Sequence, residues 1–208
     1  MAYSNACFIS YKRPPQNMNL RATAARNTPK HIWLEFVEKF EQLLISRLTA
    51  PLNRIFRDDD LDSDPGKPYP DGLSTNLCRS VCMVALLVPE YIESSWCVAE
   101  WKAMEGLEAK RLNGQRGLII PVIFQGKKED LTELFGTRQC IEFSNLLKPS
   151  RELSSRANLQ KIADIATTIN EYVKKFGAAQ AECDGFRIPI DGAEENTPKI
   201  VEPSPFQR

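Results

Sequence analysis

Two apolar runs constrain this chain more than any other feature. "VCMVALLV" (residues 81 to 88) and "GLIIPVIF" (117 to 124) contain no charged residue. Strands with this composition are covered on both faces, as happens at the centre of a parallel sheet flanked by helices. They are therefore expected to lie inside the sheet rather than at its edges.

Three further strand-like runs accompany them: "ACFISY" (6 to 11), "NRIF" (53 to 56) and "QCIEF" (139 to 143). Helical periodicity lies between and after these runs. "IWLEFVEKFEQLLISRL" places Trp33, Phe36, Phe40, Leu43, Leu44 and Leu48 on one face, and "LQKIADIATTINEYVKKFG" does the same with Leu159, Ile162, Ala166, Ile169, Val173 and Phe176. Strands alternating with amphipathic helices call for right-handed crossovers. The expected fold class is α/β, a flavodoxin-like three-layer sandwich on a five-stranded parallel sheet. We place one domain over residues 1 to 177, closed by Gly177. A tail over 178 to 208, with four of the fourteen prolines and little apolar periodicity, is expected to be mobile or loosely docked.

At 208 residues and 42% hydrophobic, the chain suits one core with a short appendage. Lysine plus arginine and aspartate plus glutamate each total 27, so no global field favours nucleic acid or an acidic membrane surface. No apolar run approaches the roughly 20 residues that span a bilayer, and "MAYSNACFISYKR" carries no signal-peptide pattern. A soluble, cytoplasmic protein is expected. The six cysteines (7, 78, 82, 97, 140 and 183) are read as reduced and mostly core thiols rather than a disulfide framework. Cys78 and Cys82 are four apart, but with His31 the only histidine no metal site is expected.

In such a sheet, ligands bind beyond the carboxyl ends of the strands, where strand order reverses. The first strand delivers Tyr11, Lys12 and Arg13 there, and the second the acidic loop "RDDDLDSDPGKPYPDG". The third is followed by Pro89 to Ser95 and a helix bearing Trp96 and Glu100, four apart and so on one face. A phosphoacceptor receiver would need acids after the first strand and an aspartate ending the third, but Tyr11-Lys12-Arg13 and Pro89-Glu90 occupy those places. "DPGKPYPDG" has prolines where a phosphate loop wants glycines, and no nucleophile elbow accompanies His31. "DDDLDSD" lacks the glycine and terminal glutamate of a calcium loop and reads as a solvated segment suited to protein contact.

Together, "ACFISYKR", "IFRDDDLDSDPG", "SVCMVALLVPEYIESSWCVAEW" and "LIIPVIF" resemble the successive boxes of a TIR domain over residues 6 to about 176. TIR domains are either signalling scaffolds or enzymes that break NAD. The resemblance to the enzymatic members implies that Glu100 is catalytic, that Tyr11 and Arg13 line the nucleotide pocket, that Trp96 flanks it and that Asp58 shapes the neighbouring loop. It further implies NAD as substrate without a separate cofactor. Self-association through the loop after the second strand, and a separate effector responding to the product in antiphage signalling of the Thoeris kind, are expected from the same resemblance. No sensor domain is expected, so activation would come from assembly or another molecule. Where some animal relatives carry a tryptophan after the fourth strand, this chain offers Phe124. The alternatives are a non-catalytic TIR scaffold and a bacterial effector acting on host TIR signalling.

The chemistry is within reach of one carboxylate. When nicotinamide leaves NAD, a cationic pyridinium departs as a neutral base, so no proton donor is needed and the usual pair of glycosidase acids reduces to one. Glu100, in the second turn of a helix expected to be capped by Ser94 or Ser95, is placed where the helix N-terminus modestly favours an anion.

Overall fold

The computed structural model describes residues 2–13, 29–57, 69–131, 134, 136, 138–143 and 146–189. Its five strands are β1 (Asn5–Tyr11), β2 (Ile55–Arg57), β3 (Ser80–Leu87), β4 (Ile119–Ile123) and β5 (Ile141–Glu142). All neighbours pair in parallel, in the order β2-β1-β3-β4-β5. This is the expected five-stranded α/β sandwich. β3 is central, with all eight residues buried, and β4 lies beside it with all five buried. Their uniform apolarity has the anticipated cause, because helices cover both faces.

Pro121 sits within β4 at no cost to the ladder. The amide of Phe124 donates to Leu87 O at 3.0 Å, on the β3 side, so by alternation the donor missing at position 121 faces β5. β5 starts pairing only at Ile141, opposite Val122.

One face of the sheet carries α1 (Pro29–Ile45) and the long C-terminal helix; the other carries α2 (Tyr69–Cys78) and α4 (Ser95–Arg111). Two single-turn helices, α3 (Pro89–Ile92) and α5 (Pro149–Glu152), lead into α4 and α6 (Arg156–Phe176). Under α1, the rings of Phe36 and Phe124 stand 4.3 Å apart, those of Trp33 and Phe124 5.1 Å, and Phe40 meets Phe143 edge-on at 6.0 Å. Phe124 is thus a core ring. On α6, Ile162, Ile165, Ala166, Ile169 and Val173 face inward, as the periodicity required. Asn170 on the same face braces the turn after α1, its Oδ1 accepting from the amides of Thr49 and Ala50 at 3.1 Å each.

The cysteine reading is corrected in part. Cys78, at the end of α2, and Cys183 form a disulfide with Cα atoms 5.8 Å apart, while Cys7, Cys82 and Cys97 are buried free thiols and Cys140 is half-buried and free. Residues 178–189 fold back over α2, so this part of the expected tail is docked. Ile188 is buried and its amide donates to Ser74 Oγ at 3.0 Å, Arg187 pairs with Asp71, and Gln180 bridges Ala2. A bridge closing a loop of 105 positions stabilises by roughly 2 to 4 kcal/mol, mainly by restricting the unfolded chain. We therefore expect Cys183→Ser, or reduction, to lower the Tm by roughly 4 to 16 °C for a domain of this size. Cys140→Ser is expected to leave it unchanged. Equal melting curves with and without reductant would show that the bridge does not form.

No helix among the described residues is long and apolar enough to cross a membrane.

Candidate active site at the switch point of the sheet

Connections leave β1 for β2 on one side and later reach β3 on the other, so the strand order reverses between β1 and β3. In parallel sheets the carboxyl ends of two such strands frame a crevice open to ligands. Here Ser10 and Tyr11 pair with Ala85 and Leu86 at that end.

Successive strand residues point to opposite faces, so Ser10 and Tyr11 diverge. Ser10 turns toward α4. Its hydroxyl donates to Glu100 Oε2 at 2.5 Å and lies 2.7 Å from the hydroxyl of Tyr91 on α3. Three side chains from β1, α3 and α4 thus form one hydrogen-bonded chain in which Tyr91 is fully buried, Ser10 is 1% exposed and Glu100 5% exposed. A carboxylate so far from water costs stability unless hydrogen bonds compensate it.

Local structure fixes that geometry. Pro89 occupies the first turn of α3, where a missing amide proton is tolerated. The amide of Ser94 then donates to Tyr91 O at 3.2 Å, and the Ser94 side chain caps α4 by accepting from Cys97 N at 3.5 Å. The cap is Ser94, one of the two expected. Glu100 follows on the second turn, with Cys97, Trp101 and Met104 buried on the same helix.

The far end of α4 is held as firmly. Glu108, 1% exposed, accepts from the amides of Gly117 and Leu118 and from both terminal nitrogens of Arg138, at 2.9 Å for Nη1 and 2.5 Å for Nη2. Burial alone would raise the Glu108 pKa, but Arg138 and the two amides outweigh it and hold the carboxyl below its ordinary value. Arg138 also reaches Glu105 at 3.2 Å and lies over the Trp101 ring at 5.7 Å. About one turn later on the same helix, Arg111 closes the other corner, donating to Cys78 O at 2.6 Å and Ser80 O at 2.9 Å. The helix bearing Glu100 is therefore clamped to the starts of β3 and β4 and to the approach to β5.

The expected site residues divide. Glu100 stands at the switch point. Trp96, one turn earlier, is half-buried at the edge of the core. Tyr11 is buried on the α1 side, its ring 6.4 Å from Trp33. The Trp33 indole donates to Lys12 O at 2.9 Å, fixing the path of the chain as it leaves β1 toward the half-buried Arg13. Asp58 lies outside the described residues. Phe124, between Trp33 and Phe36, is committed to the core and offers no ring face for a base.

A family model described as a TIR domain matches residues 34–159, more than half of the chain. The chain belongs to the TIR domain family. The matched span of this TIR domain runs from α1 into α6 and includes Tyr91, Trp96 and Glu100, while β1 with Ser10 precedes it and is placed by its pairing with β2 and β3. No curated protein matches the chain.

Sequence reasoning missed Ser10 and Tyr91. A signal for the first existed: in "FISY" only one of two adjacent residues can share a face with α4, and the smaller, Ser10, does.

Proposed function

We propose that this TIR domain cleaves NAD at the bond between ribose and nicotinamide, with Glu100 as its catalytic carboxylate. The observation that carries the reading is the place of Glu100: a buried acid beside the carboxyl end of β1, accepting a hydrogen bond from Ser10, which is linked in turn to Tyr91.

In this reading Glu100 accepts hydrogen bonds from the ribose hydroxyls and faces the positive charge that develops on the sugar as neutral nicotinamide departs. Trp96 flanks the nicotinamide side and Arg13 the phosphates, while Tyr11, packed on Trp33, supports the wall from behind. Asp58 belongs to the loop through which copies assemble. The sugar cation is then captured by water, giving ADP-ribose, or by an internal or added base, giving a cyclic or base-exchanged nucleotide. Such a product suits a signal read by a separate effector, as in antiphage defence by a cytoplasmic enzyme.

The experiment is incubation of the protein with NAD over a range of protein concentrations, with products resolved by chromatography and mass spectrometry. The reading expects nicotinamide release that rises more steeply than protein concentration, together with one nucleotide whose retention separates linear from cyclic forms. No release at any concentration would favour the scaffold alternative.

A further inference from the structure

Building on the NAD-cleaving reading, we propose that Ser10 and Tyr91 are positioning residues: the Tyr91 hydroxyl donates to Ser10, Ser10 donates to Glu100 Oε2, and this chain sets the orientation and charge of the carboxylate.

The direction of the chain follows from proton counting. An ionised carboxylate can only accept, so the single Ser10 proton goes to Oε2, and toward Tyr91 the Ser10 oxygen can only accept. Tyr91 must then be the donor, and it can fill that role only while protonated. Burial pushes its pKa well above the ordinary value, and the thiol of Cys97 and the carboxyl of Glu100 push it further the same way, against a smaller opposing effect from Ser10. Among the described residues, the titratable groups that bear on Tyr91 are Cys97 and Glu100 from α4, while β1 contributes the uncharged Ser10.

The chain also joins three separately anchored elements. Ser10 is fixed by the β1–β3 ladder, Tyr91 by the turn that follows β3, and Glu100 by a helix clamped at both ends. The hydroxyl that holds Oε2 therefore sits on rigid backbone. Its donation favours the charged carboxylate over the neutral acid, and it fixes a side chain that otherwise has three rotatable bonds.

The test uses Ser10→Ala, Tyr91→Phe and the double variant. A hydrogen bond to a charged group has a strength that corresponds to a roughly ten- to hundredfold effect, so Ser10→Ala is expected to lower kcat by about that factor with little change in KM. Tyr91→Phe is expected to cost less, because Ser10 still donates. Since Tyr91 acts only through Ser10, the double variant should be no slower than Ser10→Ala alone. In protein with carbon-13-labelled glutamate carboxyls, the Glu100 signal, assigned by its loss in Glu100→Gln, is expected to titrate at higher pH in Ser10→Ala than in wild type.

Wild-type kcat and an unmoved Glu100 titration in Ser10→Ala would overturn the proposal. So would a double variant whose losses simply multiply. Should the wild type release no nicotinamide, the enzymatic reading falls by itself and the titration alone decides: an upward shift supports the positioning chain, and no shift overturns it.

Discussion

Glu108→Ala is expected to lower the Tm by roughly 6 to 20 °C. Removing one partner of a buried ion pair costs about 3 to 5 kcal/mol, and for a domain of this size each kcal/mol corresponds to about 2 to 4 °C. The effect should fall at the upper part of that range, because two backbone amides lose their acceptor along with the guanidinium. Arg138→Met should cost less. It leaves Glu108 with the Gly117 and Leu118 amides, and a methionine can cover the Trp101 ring. Acid dependence supplies a second reading of the same cluster. A carboxyl held below its unfolded value contributes stability above the unfolded pKa and loses it as pH falls through the folded one. Glu108→Gln should therefore flatten the loss of stability below about pH 4. Thermal scans of the three variants from neutral to acidic pH check this; Glu108→Ala melting within 2 °C of wild type, by the same scale, would contradict it.

The parts of the fold that the sequence declares are those where two independent constraints agree. Residues 81 to 88 and 117 to 124 read as inner strands because both faces are covered, and the structure buries every residue of β3 and β4. The edge strands are shorter than their apolar runs: β2 keeps three residues and β5 two, since each pairs on one side only. α2 escapes periodicity analysis, because Pro70 and Gly72 are poor helix formers. It persists as a helix because Leu73 and Leu77 are fully buried. The disulfide had no local signal at all, as its cysteines are 105 positions apart.

The site divides in the same way. Glu100 and Trp96 are legible because four residues on one helix make a face. Tyr11 was expected beside them from its place at the end of the first strand, but strand alternation sends its ring to Trp33. Residues 10, 91 and 100 meet only through the tertiary fold, and Tyr91 in "VPEYIE" looks like any apolar turn residue. A hydrogen-bonded chain across three elements has no spacing to be read.

Glu100→Gln is expected to lower NAD turnover by about a thousandfold while leaving the protein folded. A unit charge about 4 Å from a developing cation is worth roughly 4 kcal/mol at an effective dielectric near 20. An interaction of that size made mainly in the transition state corresponds to about that factor in rate. The burial of Glu100 works in the same direction, because little water remains to screen the pair. Glutamine keeps the shape and can still accept from Ser10, so the loss reports the charge rather than the packing. The measurement is nicotinamide release by wild type and Glu100→Gln at equal concentration, with melting curves recorded on the same samples. Matching melting curves with turnover confined to the wild type is the predicted result. Equal turnover by the two proteins would contradict the assignment of Glu100 as the catalytic carboxylate.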